Sequence, residues 1–171
     1  MGISTEVNIT IFMHLREDEH ILKVYHHHPT PFVFDILKVI LATFPFFLVL
    51  FLFKEVLSMK WFVLSHIIVF VLFAFVIIYM SIVFWMDKIV ITNQRVIYIN
   101  WKSLTIREEA EAFWAEIQDV KTKEKGFLSY FWVFDYGYFQ IETAASHVTI
   151  DFQDAPDPEG IRQFIYHVRQ Q

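Results

Sequence analysis

The sequence contains no cysteine and four glycines, and from Trp61 to Met86 it has no Asp, Glu, Lys or Arg. Without cysteine there is no disulfide framework, thiol nucleophile or cysteine-ligated zinc, so a folded part has to be stabilised by its core alone. Four glycines leave little for loops that cradle phosphate, and no nucleophile–base pair or paired-carboxylate site stands out. No catalytic, cofactor-binding or metal-binding residue is assigned on these grounds, and the expectation is a protein that is not an enzyme. Glu6, Glu17, Asp18 and Glu19 break up the first 20 residues, which lack the basic start and continuous apolar stretch of a signal peptide. Glu6 also stands where a myristoylation signal wants Ser or Thr. The net charge of −5, with acids exceeding bases from Asp87 onward, disfavours a nucleic-acid partner.

What is abundant is apolar residue in long runs. Trp61–Met86, at about 1.5 Å per residue, spans about 39 Å as a helix, more than the roughly 30 Å hydrocarbon core of a bilayer. Its centre, Ile67 to Ile78, has no polar face to show to water. An earlier run, Val39 to Phe53, gives only about 22 Å. It crosses if Phe32, Val33 and Phe34 contribute and Lys38 snorkels to the headgroups. Together the runs predict a transmembrane helical hairpin over residues 34–86, with spans of about 34–53 and 61–86 and the lipid bilayer as partner. Residues 1–33 are then an N-terminal juxtamembrane segment. Trp61, and Tyr79 with Trp85, suit the two aromatic belts. Lys23, Lys38, Lys88, Arg95 and Lys102 lie on the side of the termini, against Lys54 and Lys60 in the connection, which places both termini in the cytoplasm.

After Asp87 the pattern changes to alternation, the signature of half-buried strands. Ile89 and Ile91 share a face, as do Ile97, Ile99 and Trp101, with a turn at Thr92–Arg95. Phe139, Ile141 and Thr143, then Val148, Ile150 and Phe152, mark two further strands. The segment Arg107 to Ile117 is ambiguous, since Ala and Glu favour a helix while the same residues also alternate. At the end, Asp157 suits an N-cap and Pro158 the first helical position. Ile161, Phe164, Ile165 and Val168 follow at helical spacing. Residues 87–171 thus read as a small β domain closed by one helix.

The stretches DKIVITNQRVIYI (Asp87 to Ile99), EIQDV (Glu116 to Val120), DYGYFQIETA (Asp135 to Ala144), VTIDF and PDPEGI (Pro156 to Ile161), preceded by DEHILKVYHHHP (Asp18 to Pro29), resemble one family in their order. It is the YdbS-like bacterial membrane proteins, in which a two-helix hairpin is followed by a pleckstrin-homology-like (PH-like) domain. The resemblance implies an α+β membrane protein with a partly open antiparallel β-barrel of about seven strands and a C-terminal capping helix. It also implies a strand at Arg107 to Phe113 and a multi-pass protein of the bacterial inner (plasma) membrane. The chain departs from the family in the aromatic stretch Gly126 to Phe134.

Three groups of residues invite a functional reading. His26, His27 and His28 are metal-ligand types, but consecutive side chains diverge and no HExxH-like pattern accompanies them. Lys121, Lys123 and Lys125 alternate along one strand face and, with Arg95, are candidates for headgroup contacts. Phe127, Tyr130, Phe131, Trp132 and Tyr138 are too many aromatics for so small a domain to bury, which makes them a candidate interaction surface. The expectation is a non-catalytic membrane-anchored module that scaffolds protein assembly, as a homo-oligomer or with a membrane protein partner. The alternative is a lipid-headgroup or small-ligand sensor, and a histidine–metal membrane enzyme comes third.

Overall fold

The structure, a computed structural model, describes residues 15–124, 135–144 and 149–170. The chain forms β1 (Ile21–His26), two long helices, α1 (Pro29–Leu52) and α2 (Met59–Met86), and then β2 (Lys88–Thr92), β3 (Arg95–Ser103), β4 (Ile106–Phe113) and β5 (Ile117–Glu124). β6 (Tyr136–Thr143), β7 (Thr149–Pro156) and α3 (Pro158–Arg169) complete it.

α1 begins earlier than the apolar run suggests. His28 is its N-cap and accepts the Thr30 amide on Nδ1, and Pro29 supplies the preset φ of a first helical position. Phe32, Val33 and Phe34 are therefore helical, and the 24 residues of α1 give about 36 Å. Both helices are long and apolar enough to cross a membrane, and neither buries any of its apolar window within the protein.

The strands form two antiparallel sheets, β1-β2-β3-β4 and β5-β6-β7. The expected barrel does not close. β4 and β5 follow each other in the chain without pairing, because the turn after Phe113 carries the chain across from one sheet to the other. That corner is held by Glu116 N–H on the Phe113 carbonyl (2.9 Å) and Ala144 N–H on the Glu116 carbonyl (2.8 Å). The sheets share one core, with Ile89, Ile91 and Val96 facing Phe139, Ile141 and Phe152, and Ile161 and Ile165 of α3 closing it. Ile97 and Ile99 lie on the opposite face of the first sheet with Val90 and Trp101. Ile106–Phe113 is a strand, paired with β3 along its length. α3 starts as its sequence predicts, with Asp157 accepting the Gly160 amide (2.9 Å).

β1 comes from the segment expected to be a juxtamembrane lead-in, and it pairs with β2 from Ile21↔Thr92 to His26↔Lys88. The two helices are thus an excursion between adjacent strands of one sheet. At the other end of that pair, residues 16–20 wrap the β2–β3 turn. Asn93 donates to the Asp18 carbonyl and accepts the His20 amide, each at 2.9 Å. The Glu19 carboxylate grips Arg95 in a fork of two 2.9 Å bonds and also accepts from Thr92 Oγ1 (2.8 Å) and the Arg16 amide (2.9 Å). Glu111 engages the remaining arm of the guanidinium. The Glu19 and Arg95 side chains are 0% and 6% exposed.

Burial works against ionised Glu19, but the Arg95 and Thr92 side chains and the Arg16 amide outweigh it and hold its pKa below 4.5. A carboxyl depressed in this way stabilises the fold above its unfolded value and loses that contribution as the pH falls through the folded one. Removing one partner of a buried, hydrogen-bonded pair strands the other. Glu19→Ala is expected to destabilise the β domain by about 3 kcal/mol, read from denaturant unfolding of the protein in lipid discs. A loss below 1 kcal/mol, the level of an exposed pair, would contradict the burial described.

Candidate functional site

The three histidines lie where β1 becomes α1, and their rings go three ways. His26 closes the β1–β2 ladder, with its ring 6.3 Å from that of Trp85. His27 turns inward: Nδ1–H donates to the Gln153 carbonyl (2.6 Å), and the ring lies 4.3 Å from that of Phe152. Its Nε2 faces the Asp87 carboxylate at 3.8 Å. His28 stacks on Tyr136 (5.4 Å between centroids, 15° between planes) while capping α1, and its amide donates to the Asp154 carbonyl (2.8 Å). One tripeptide therefore ties β1, β7 and both helix roots together. Asp87, at the end of α2, accepts the Trp101 amide on Oδ1 (2.6 Å) and so fastens β3 to the same junction. Phe32 of α1 stacks on Phe84 of α2 (4.4 Å), completing a ring of contacts round the root of the helices.

Between the helix roots and the second sheet lies a cleft of about 450 Å³, lined by His27, Asp35, Asp87, Tyr98, Asp151 and Asp154 among others. A neighbouring cleft of about 600 Å³ runs between the first turns of α1 and Tyr136. Burial keeps the His27 imidazole below 6.5, against the pull of the Gln153 carbonyl and of Asp87 and Asp154. Burial also raises Asp87, opposed by the Trp101 amide and His27. Tyr98 is pushed up to about 12 by burial and by Asp87, Asp151 and Glu108. The arrangement is a neutral imidazole wedged among carboxylates. Among the described residues no group of three His, Cys, Asp or Glu is placed to hold a metal ion.

Among the described candidate headgroup residues, Arg95 is not brought together with Lys121 and Lys123. Arg95 sits inside the Glu19–Glu111 grip, at the end of β2 remote from α2. Lys121 pairs with Glu142 across the β5–β6 ladder, and Lys123 is exposed opposite Tyr138. The Tyr138 hydroxyl donates to Asp151 (2.6 Å), and desolvation with that carboxylate pushes it up to about 12. Lys125, Phe127, Tyr130, Phe131 and Trp132 lie outside the described residues. His66, within α2, donates from Nδ1 to the Phe62 carbonyl one turn back (2.8 Å). The sequence reading missed the junction, and the signal that could have located it is His28-Pro29, a cap followed by a first-turn proline.

Two antiparallel sheets packed around one core and closed by a C-terminal helix define the class as PH-like. The bacterial PH domain family matches residues 70–169, more than half of the chain, and the protein belongs to that family. Among solved structures it is similar to a pleckstrin homology domain from Shewanella amazonensis, at 18% identity and a TM-score of 0.38 over 48% of this chain and 66% of that one. A protein with a pleckstrin-homology domain from Shewanella loihica gives 16% identity and a TM-score of 0.37, over 48% of this chain and 70% of that one. The chain thus spans just under two thirds of the first of these structures. No curated protein matches the sequence.

His26 and His28 are also lowered from 6.5, chiefly by burial. A histidine depressed in the fold leaves the unfolded chain to take up the proton first, so stability is full above about pH 6.5 and is lost as the pH falls from there to the folded values. Thermal melting followed against pH should show this decline. His27→Gln, whose amide can still donate to the Gln153 carbonyl but does not titrate, should flatten it, and an unchanged slope would remove His27 from the titration.

Proposed function

We propose that the protein is a non-catalytic, membrane-anchored PH-like module that holds a binding surface at the membrane face and acts through protein assembly, self-association or both. The observation that carries this reading is the pairing of His26 with Lys88, which makes a pair of long, predominantly apolar helices an insertion within the sheet of the β domain. At about 36 Å and 42 Å, from 24 and 28 residues, the helices exceed a bilayer core of about 30 Å. Lipid is the solvent that suits faces left uncovered all round. Lys23, Lys38, Lys88 and Lys102 favour an inner membrane orientation with the domain and both termini in the cytoplasm.

The partner is a second copy of the chain or another membrane protein. The aromatic residues Phe127, Tyr130, Phe131, Trp132 and Tyr138, argued from sequence alone, are the surface assigned to it. Use as a headgroup sensor has less support, because Arg95 and Lys121 already engage carboxylates of the protein itself.

Native mass spectrometry of the full-length protein released from lipid discs tests the reading. A defined oligomer or a retained partner protein is expected, and Phe131→Glu should disperse it while leaving the melting temperature of the domain in place. A monomer that carries one selectively retained lipid would instead favour the sensor. Washing membranes at alkaline pH should leave the chain in the pellet, and its release would end the anchoring reading.

A further inference from the structure

The β3–β4 hairpin turns over at Ser103–Ile106, and its tip is built unlike the rest of the domain surface among the described residues. Leu104 is 42% and Ile106 54% exposed. Among the described residues of the β domain, the other large apolar side chains in that condition are Leu22 and Tyr166, well separated from each other in the chain. Neither residue at the tip is needed for the turn, which Ser103 holds by accepting the amides of Thr105 (3.4 Å) and Ile106 (3.2 Å) on its hydroxyl. Trp101 and Lys102 precede the tip. Arg107 follows it, with its guanidinium 6.0 Å from the Trp101 ring. An apolar tip backed by an aromatic and cations is the composition of a segment that sits at a lipid–water boundary.

The depth of the tip follows from the register. The Trp101 amide is bound to Asp87, the residue that ends α2, and β3 runs in contact with the end of that helix. Leu104 lies three residues further on, about 10 Å at the rise of a strand. The same distance back along α2, at about 1.5 Å per residue, reaches the neighbourhood of Tyr79 and Met80. The contacts Phe32–Phe84 and Phe46–Phe73 register α1 against α2 and put Lys38, the last charge of α1 before its apolar run, at about the level of Tyr79. The tip therefore descends beside the helices to the depth at which the charges of α1 stop.

We infer that the tip Lys102–Ile106 is a third membrane contact, with Leu104 and Ile106 inserted at the headgroup–acyl boundary of the leaflet that holds the roots of α1 and α2. The inference rests on the anchoring reading above and adds to it how the domain meets the lipid. The ion pairs Lys102–Glu108 and Arg107–Glu109 lie just above the tip, so their cations are placed at phosphate depth without being left unpaired in the protein. With helix roots on one side and the tip on the other, the first sheet stands on the membrane by the ends of its strands rather than hanging from it.

The absence of cysteine makes the test direct, since one introduced thiol is the sole site for a nitroxide label. Full-length Leu104→Cys, Val71→Cys and Leu22→Cys are each labelled in phospholipid vesicles. Spin relaxation by oxygen, which concentrates in lipid, is compared with relaxation by a water-soluble nickel chelate. Val71 is at mid-helix and Leu22 at the end of β1 remote from the helices. The expected order of the oxygen-to-nickel ratio is Val71 highest, Leu104 intermediate and several-fold above Leu22, with Ile106→Cys repeating the Leu104 value should that variant misfold. A Leu104 ratio equal to that of Leu22, with Val71 still deep, overturns the inference and leaves the anchor standing. Shielding of Leu104 from both reagents means a protein partner covers the tip, and also overturns it. Nickel access at Val71 would overturn the anchoring reading and the inference with it.

Discussion

The antiparallel pairing of β1 with β2 is the constraint on which the rest of this structure depends. The chain leaves the sheet at His26, makes two helices, and returns at Lys88 as the hydrogen-bonded neighbour of the residue it left from. Paired Cα atoms in an antiparallel ladder are about 5 Å apart, and helices in contact lie about 8–10 Å apart. A sheet that pins the two roots at one distance and side chains that set the other agree with little adjustment, and the Phe32–Phe84 stack stands where the two meet. A domain joined to a helix by one flexible linker can rotate about it. Joined by two adjacent strands, each continuing into a helix through no more than two residues, it has no such freedom.

That constraint explains the chemistry of the junction better than any ligand does. Backbone leaving a sheet for a helix exposes polar groups on both sides, and where these are buried they have to find partners within the protein. His28 answers for the first free amide of α1, its own amide reaches Asp154, His27 supplies a donor to the Gln153 carbonyl, and Asp87 receives the Trp101 amide. The three histidines act as short, flat, polar side chains that stack as well as hydrogen-bond. Clustered imidazoles read as metal ligands only if their lone pairs converge, and here the backbone turns each ring towards a different element.

The elements that could be read from the sequence are those whose information is local. Alternation marked β2, β3, β6 and β7, and Asp157-Pro158 marked the start of α3, because a cap and a first-turn proline act within a few residues. β1 escaped since Ile21–His26 carries apolar residues on both faces and its partner lies beyond two helices. The open sandwich in place of a barrel has the same origin, as closure depends on whether β4 meets β5, and alternation within a strand says nothing about its neighbour. Arg95 looked like a lone cation in a turn. Its partner Glu19 is 76 residues away in the chain, and a charge so far off leaves no mark on the local pattern.

The same pairing also decides which strand edges the domain leaves open. An exposed strand edge is a template for further strands, and a sheet anchored beside a membrane would meet its own copies at high local concentration. β1 covers the edge of β2 and becomes the edge strand itself, with Lys23 on it, while β4 at the opposite edge carries Arg107, Glu108, Glu109 and Glu111. Along β5 the protection is chemical: Lys121 and Lys123 put charge on the strand, a common defence against indiscriminate pairing. Contacts made by side chains are then favoured over strand addition. A domain held at two helix roots keeps one orientation relative to those helices, so its side-chain surface is presented in a fixed direction.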